Sequence, residues 1–290
     1  MTYDGLVLAA VAAELDRTMR GGTVQKVRQH NDTDITLEVR AVSHTYLLFF
    51  SVEARFPRVY LTASSHPVPD HPPNFCMLLR KHLAGAFVTR VEQVGMDRIL
   101  RIRFQSPARD NYVLVMEIMG KHSNLVLVSD EGKILGAAKH VGSSISRYRQ
   151  VLPGRDYLPP PGVDKIDPRT VDETAFDSLW NASLPETVTS DEVRKWLMST
   201  FSGFGPFLAD ELVRRAGKDA QVDRDALCDE LLQLGEMVRR CQYVPVLITG
   251  ETGEAIIVYP MPSVQFPPDR QHERPSVNEA LDTLFRSLVT

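Results

Sequence analysis

The residues best suited to chemistry in this chain are basic. Arg80, Lys81 and His82 close one predicted helix. Arg98, Arg101 and Arg103 follow Asp97 along a predicted strand, and Lys121, His122, Lys139 and His140 flank predicted turns. Guanidinium and ammonium groups at turns suit phosphate recognition. The pair Asp97-Arg98 reads in two ways. It is a surface salt bridge worth ~0–1 kcal/mol, or a guanidinium fork held for phosphate, and composition alone favours the first. In Arg147-Tyr148-Arg149 an aromatic stands between two guanidinium groups just before a Pro-Gly turn. That interleaving suits a nucleic-acid backbone with one stacked base. It equally fits a solvated loop with Tyr148 in the core. The run FSGFGPFLADEL places Gly203 and Gly205 between two predicted helices, the pattern of a helix-hairpin-helix. Its glycines allow a tight turn, and the start of the second helix can hold a phosphate. An ordinary helical hairpin has the same spacing, and the acidic surroundings weaken the phosphate reading.

Enzyme readings find little support. The chain carries no G-x-S-x-G, no Walker A loop, no H-E-x-x-H and no G-x-G-x-x-G after a strand. His66, Asp70 and His71 share a Pro-rich loop but lack further ligands for a metal. Cys76 lies between Phe75 and Met77 on a predicted helix and reads as core, with only Arg80 and Lys81 one turn on to lower its pKa. Thr2 has no base to make it a nucleophile. Cys76, Cys228 and Cys241 form neither a CxxC pair nor a disulfide framework, which points to a reducing cytosol. No cofactor and no metal is expected, and the chain is not read as an enzyme.

The elements that must position these residues change character along the chain. Leu6 to Met19 reads as an amphipathic helix ending at Gly21-Gly22, not as a signal peptide. Short strands follow: TVQKVRQH, DITLEVR, TYLLFFS and PRVYLTA. A Pro-rich loop then leads into a helix from about Asn74 to Leu83, closed by Gly85. Strands resume in AFVTRVEQVG, RILRIRFQ, NYVLVMEIMG, SNLVLVSD and KILGAAKHV. Their short turns predict an α+β fold with mostly antiparallel strands. A Pro-rich linker spans VLPGRDYLPPPGVDKIDP. Helices follow, with Ser190 as candidate N-cap of one, then a hairpin across Glu251-Thr252-Gly253 and a last helix without a cap. The missing cap hints that the natural polypeptide continues. The expected domains are 1–160, 161–242 and 243–290.

Charge is divided unevenly. The net charge is −4 over 290 residues, but residues 1–160 hold 20 Lys and Arg against 15 Asp and Glu, and residues 161–290 hold 13 against 22. A polyanion partner is therefore plausible for the first part only. Chance sorting of surface charge is the simpler account of a modest excess. No run approaches ~18 apolar residues, so no membrane span is expected.

Several segments in this order resemble one family. They are Tyr3-Asp4-Gly5, Arg58-Val59-Tyr60-Leu61-Thr62, the run from Phe75 to Leu83, Asp97-Arg98-Ile99, the run from Glu117 to Asn124, and Arg147-Tyr148-Arg149 with Leu152-Pro153-Gly154 and Tyr157. Together, across essentially the whole chain, they look like the N-terminal part of the NFACT family of ribosome quality-control factors, whose bacterial members were once named as fibronectin-binding proteins. The resemblance implies an N-terminal domain similar in fold to that of formamidopyrimidine-DNA glycosylases, followed by a helix-hairpin-helix domain. It implies binding to a large ribosomal subunit obstructed by peptidyl-tRNA, and recruitment of alanyl-tRNA for untemplated tailing of the stalled chain. Asp4, Asp97 and Arg98 fall on family positions tied to tRNA binding and tailing. Arg80, Lys81, Lys121, His122, Arg147, Arg149, Gly203 and Gly205 are further candidate phosphate contacts. Thr2-Tyr3 stand where a glycosylase needs Pro-Glu, so base excision is not expected. The family's coiled coil and C-terminal RNA-binding domain are absent, so the chain reads as a truncated form or a short relative, ending at the stub of that coiled coil. The alternatives are an adhesin for fibronectin or fibrinogen and a DNA-binding protein of the glycosylase type.

Overall fold

The computed structural model describes residues 2–162, 164–218 and 221–289. The chain divides into two compact units. One holds residues 11–94 and 98–162, and the other holds residues 1–10, 95–97 and 163–290. The first helix, α1 (Gly5–Met19), begins in the second of these and ends in the first.

The unit of residues 11–94 and 98–162 is built on a nine-stranded sheet. Its strands are β1 (Thr23–Gln29), β2 (Asp34–Ala41), β3 (His44–Ser51), β4 (Arg58–Thr62), β5 (Phe87–Gln93), β6 (Ile99–Gln105), β7 (Asn111–Glu117), β8 (Asn124–Ser129) and β9 (Ile134–Ala137). The spatial order is β4-β3-β2-β1-β5-β6-β7-β8-β9, and every neighbouring pair is antiparallel. This is the expected α+β layout, for the expected reason: nearly all connections are hairpin turns, which can only join antiparallel neighbours. The exception is the connection from β4 to β5. It carries the Pro-rich loop and α2 (Asn74–Leu83), with the bounds the sequence predicts.

Helix α2 buries Phe75, Cys76, Leu79 and Leu83 and packs against both β1 and β9. Those strands are far apart in the strand order, so the sheet curls around the helix. Gly136 on β9 makes the approach possible, because a Cβ there would lie 2.1 Å from Leu78 Cδ2. The sheet closes further where Lys139 Nζ, just past β9, donates to the carbonyl of Val52, just past β3, at 2.6 Å. Burial lowers the Lys139 pKa.

The other unit is mainly helical beyond residue 163. It contains α3 (Glu173–Ser183), α4 (Ser190–Thr200), α5 (Pro206–Arg215) and α6 (Arg224–Arg239), with a minimal hairpin of β10 (Gly217–Lys218) and β11 (Gln221–Val222). Phe176, Trp180, Trp196 and Phe201 form its aromatic core, with ring centroids 5.4–5.9 Å apart and three edge-on pairs. A second sheet joins β12 (Val246–Thr249), β13 (Ala255–Tyr259) and β14 (Gln271–Glu273) in the order β13-β12-β14. Helix α7 (Val277–Val289) packs on β13 and β12 and buries Val277, Ala280, Leu281, Leu284 and Phe285.

Several features depart from the sequence reading, among them the short β10–β11 hairpin. The N-cap of α4 is Thr189, not Ser190: its hydroxyl accepts from Glu192 N, and the Glu192 carboxylate accepts from Thr189 N. This capping box reaches one residue further back than the single-residue signal. Helix α3 was not anticipated, although Asp172 caps it by accepting from Ala175 N at 2.7 Å. Its apolar stripe is thin, resting on Phe176 and Trp180. Strand β14 was also missed, being three residues long and polar.

Two histidines make the sheet unit sensitive to acid. His30 bonds the Pro67 carbonyl (2.8 Å) and the Thr36 hydroxyl (2.7 Å), and burial lowers its pKa from 6.5. Burial also lowers His82, with Lys81 adding to the effect. A depressed pKa means that the unfolded chain binds the proton first, so stability is full above about 6.5 and is lost as pH falls below it. The denaturation midpoint should therefore drop between pH 7.5 and 5.5, and His30→Asn should flatten part of that slope. A midpoint that is level or rises toward acid would contradict the assignment.

Candidate functional site

Asp97 and Arg98 lie in the turn between β5 and β6, and both are exposed. The turn opens at Gly95, whose φ of +56° suits glycine. Met96 is buried completely. The division between the two units falls between Asp97 and Arg98. On the sheet side, the Arg98 carbonyl accepts from Ile118 N at 2.9 Å, which continues the β6–β7 ladder. The Arg98 guanidinium has no carboxylate partner among the described residues. A cation left unpaired on a short turn is available for an external anion.

Residues 95–97 belong to the unit that includes the start of α1, and their anchoring is a matter of backbone contact. At Gly5 a Cβ would lie 2.1 Å from the Met96 carbonyl oxygen and 2.4 Å from Gly203 Cα. At Gly203 a Cβ would lie 2.7 Å from the same oxygen, and the residue adopts φ +82°. Gly5 N donates to the Gly203 carbonyl at 3.2 Å. Three main-chain segments thus meet where only glycine fits. The Gly203 position in the α4–α5 turn is used to pack against Met96. Gly205 is the N-cap of α5, with Pro206 in the first turn and no side-chain cap hydrogen bond.

Asp4 is 6% exposed and its carboxylate is already engaged. Oδ1 accepts from Leu6 N and Val7 N, both at 3.0 Å, which caps α1. Oδ2 accepts from the Tyr259 hydroxyl at 2.8 Å. Tyr259 is fully buried, and burial followed by the Asp4 charge raises its pKa well above the usual tyrosine value. Asp4 therefore holds the first turn of α1 to β13. Neither Tyr259 nor Met96 was singled out from the sequence. A readable signal existed for Asp4, since Asp directly before an apolar helical run is an N-cap pattern. Nothing local marks Tyr259, 255 residues away.

The remaining candidates separate into groups. Arg80 and Lys81 are exposed on the last turn of α2, where Arg80 Nε donates to the Val27 carbonyl at 3.0 Å. Lys121 and His122 are exposed on the one-turn segment Gly120–His122 between β7 and β8. Arg147 is exposed. Arg149 is not available in the same way. Its guanidinium pairs with the fully buried Glu117 carboxylate through two bonds, one of them Nη1 to Oε1 at 2.9 Å, and Tyr157 donates to the same carboxylate at 2.6 Å. Among the described residues no group of three or more His, Cys, Asp and Glu is arranged to hold a metal. No helix among them is long and apolar enough to cross a membrane.

Comparison with known proteins bears on this arrangement. Residues 4–288 match the family model described as NFACT N-terminal and middle domains. A relative from Bacillus subtilis, named Rqc2 homolog RqcH, is 36% identical over 254 residues, covering 86% of this chain and 43% of the relative. The chain thus spans less than half the length of that curated relative. Two solved structures are similar nearly end to end. The N-terminal part of the fibronectin/fibrinogen-binding protein from Streptococcus suis superposes with a TM-score of 0.79 at 29% identity, covering 98% of this chain and 99% of that one. The fibrinogen-binding protein from Staphylococcus aureus gives 0.80 at 28% identity, covering 97% and 98%.

The backbone junction is testable without a ligand. Gly5→Ala should lose about 3 kcal/mol or more, because both obstructing atoms are main chain and cannot rotate away. Tyr259→Phe should cost about 1–3 kcal/mol by leaving the buried Asp4 carboxylate short of a donor. Chemical denaturation of each variant measures both. A near-neutral Gly5→Ala would show that the junction is looser than described.

Proposed function

Because this chain belongs to the NFACT family, spanning its N-terminal and middle domains, we propose that it is the tRNA-binding part of a ribosome quality-control factor. In this reading it recruits alanyl-tRNA to a large ribosomal subunit obstructed by peptidyl-tRNA, for C-terminal tailing of the stalled chain. The observation that carries the reading is the Arg98 guanidinium, exposed beside Asp97 on a tight turn and free of a carboxylate partner among the described residues. Arg98 offers a fork to a phosphate or a base edge, and Asp97 offers an acceptor for a base amino group. Asp4 supports them from a distance, by capping α1 at the junction that fixes Met96. Lys121, His122, Arg147, Arg80 and Lys81 add phosphate contacts, and the amides at Gly205 a further one. Arg149 serves indirectly by fixing the loop that carries Arg147. Peptide-bond chemistry belongs to the ribosome in this account, so the chain needs no catalytic group of its own. The Rqc2-homolog name of the Bacillus subtilis relative supports the reading.

A second reading has one observation in its favour. The two similar solved structures are described as fibronectin- or fibrinogen-binding proteins. Immobilised fibrinogen should retain this chain at micromolar concentration if that reading holds.

The first reading is tested by binding deacylated and alanyl-tRNA at fixed salt to the wild type and to Asp97→Ala/Arg98→Ala. Binding should weaken about tenfold or more in the double variant, the range of one lost Arg contact with its orienting acceptor. Wild-type affinity should also fall steeply with salt as phosphate counterions are released. Unchanged binding in the double variant, or affinity indifferent to salt, would overturn the reading.

A further inference from the structure

The loop of residues 142–150, between β9 and the Pro-rich segment, is fixed at its base and exposed at its tip. Val141 and Val151 pair across the base through two backbone hydrogen bonds, Val141 N to Val151 O at 3.0 Å and Val151 N to Val141 O at 2.8 Å. Val151 is buried in an apolar cluster with Ile99, Val115 and Ile134. The loop's last turn is tied by Arg149, whose guanidinium is held by the buried Glu117 carboxylate and whose Nε donates to the Leu158 carbonyl. Inside the loop, Gly142 O accepts from Ile145 N and Ser146 N, and Ser146 Oγ accepts from Arg149 N. Between these ties the chain presents Ile145 at 70% exposure, Tyr148 at 68%, and an exposed Arg147. The Tyr148 ring has no aromatic or hydrogen-bonding partner among the described residues. Exposed together on an anchored loop, the Tyr148 ring and Ile145 offer a preformed aromatic and apolar surface to a ligand.

Its surroundings indicate what covers it. Residues 132–155 contain five Lys and Arg and no Asp or Glu. Glu117, which anchors Arg149, pairs in the ladder with Ile99 on one side and Asn124 on the other. The Asn124 side chain in turn holds the backbone of Lys139 at both N (3.0 Å) and O (2.8 Å). This register brings the starts of β6 and β8 and the end of β9 to one end of the sheet. Arg98, Lys121, His122 and His140 are exposed there, without a carboxylate partner among the described residues. Glu117, the carboxylate paired in this register, is buried and held by Arg149. An apolar protein surface would meet the unpaired Arg147 beside Tyr148, with Arg98 and Lys121 at the same end of the sheet, whereas an RNA strand supplies both a base for the ring and phosphates for these cations.

We propose that Tyr148 stacks on an unpaired RNA base while Arg147 holds an adjacent phosphate, so that the loop is a second RNA contact distinct from the Asp97-Arg98 turn. The inference rests on the RNA reading above. The anchored base matters, because a loop already ordered loses little entropy when it binds. The tyrosine ring stacks on any base, so the contact selects unpaired nucleotides without choosing a sequence.

The test uses the whole chain and two probes at fixed salt: deacylated tRNA and a short unstructured RNA oligonucleotide with one 2-aminopurine. Tyr148→Ala should weaken oligonucleotide binding roughly 5- to 100-fold, the effect of one lost base stack. It should also relieve the quenching of 2-aminopurine. Tyr148→Phe should keep both affinity and quenching, because stacking needs the ring and not the hydroxyl. Tyr148→Ala should not alter the thermal midpoint, since the ring is exposed. Over a separate salt series, Arg147→Ala should lower the slope of affinity against salt by about one. Wild-type affinity and quenching in Tyr148→Ala would overturn the loop proposal, while tRNA binding lost in Asp97→Ala/Arg98→Ala would leave the first reading standing. Equal losses in Tyr148→Phe and Tyr148→Ala would also overturn it, by assigning the effect to the hydroxyl. A wild type that binds neither probe would overturn both. Retention of Tyr148-dependent binding to a protein, with no RNA binding, would replace RNA by a protein partner and overturn the proposal.

Discussion

The meeting of three backbones at Gly5, Gly203 and Met96 is the constraint on which the candidate site depends. A Cβ at either glycine would penetrate main-chain atoms. The α4–α5 turn, the first turn of α1 and residues 95–97 therefore have one way to pack. Asp4 adds a charge-assisted tie by accepting from two amides of α1 and from the buried Tyr259 hydroxyl. The arrangement lets Met96 disappear into the interior while its neighbour Asp97 stays at the surface. An exposed recognition group attached to a buried, sterically locked residue loses little conformational freedom on binding.

The sheet unit uses the same device with different parts. Glu117 is buried and ionic, which is costly unless its partners are well placed. Arg149 and Tyr157 satisfy it with three hydrogen bonds. Burial and the Glu117 charge hold Tyr157 well above its ordinary pKa, so the phenol remains a donor at any physiological pH. What this cluster secures is the exit of the 142–150 loop. In both units the buried Asp4, Tyr259 and Glu117 side chains are hydrogen-bonded, and the residues offered for recognition are exposed residues one or two positions from a buried or tied one. A basic residue is thus not by its type a ligand contact: Arg147 and Arg149 are two apart and have opposite fates.

Much of the fold was legible in the sequence because it is local. Period-two apolar patterns and turn residues gave the nine strands, and the bounds of α2 follow from a clean apolar stripe closed by Gly85. What escaped was of two kinds. Short or weakly patterned elements, α3 and β14, draw their stability from tertiary packing, and no local period records that. Non-local partners were the other kind. Asp4 with Tyr259, and Gly5 with Gly203 and Met96, are separated by up to 255 residues. The glycines of the α4–α5 turn suggested phosphate, yet Gly203 is needed for a close backbone approach, and spacing alone does not distinguish those uses. The exposed Asp97-Arg98 pair was legible as residues, but that the Arg98 guanidinium has no carboxylate partner among the described residues was not.

The central claim is that the Asp97-Arg98 turn touches RNA. It is tested most directly by placing a photoreactive amino acid at position 98 and, as a control, at the exposed position of Val264. Each protein is irradiated with bound tRNA. The account predicts a covalent adduct to a defined stretch of tRNA from position 98 and none from position 264. Adducts of equal yield from both positions, or none from position 98 while tRNA remains bound, would contradict it.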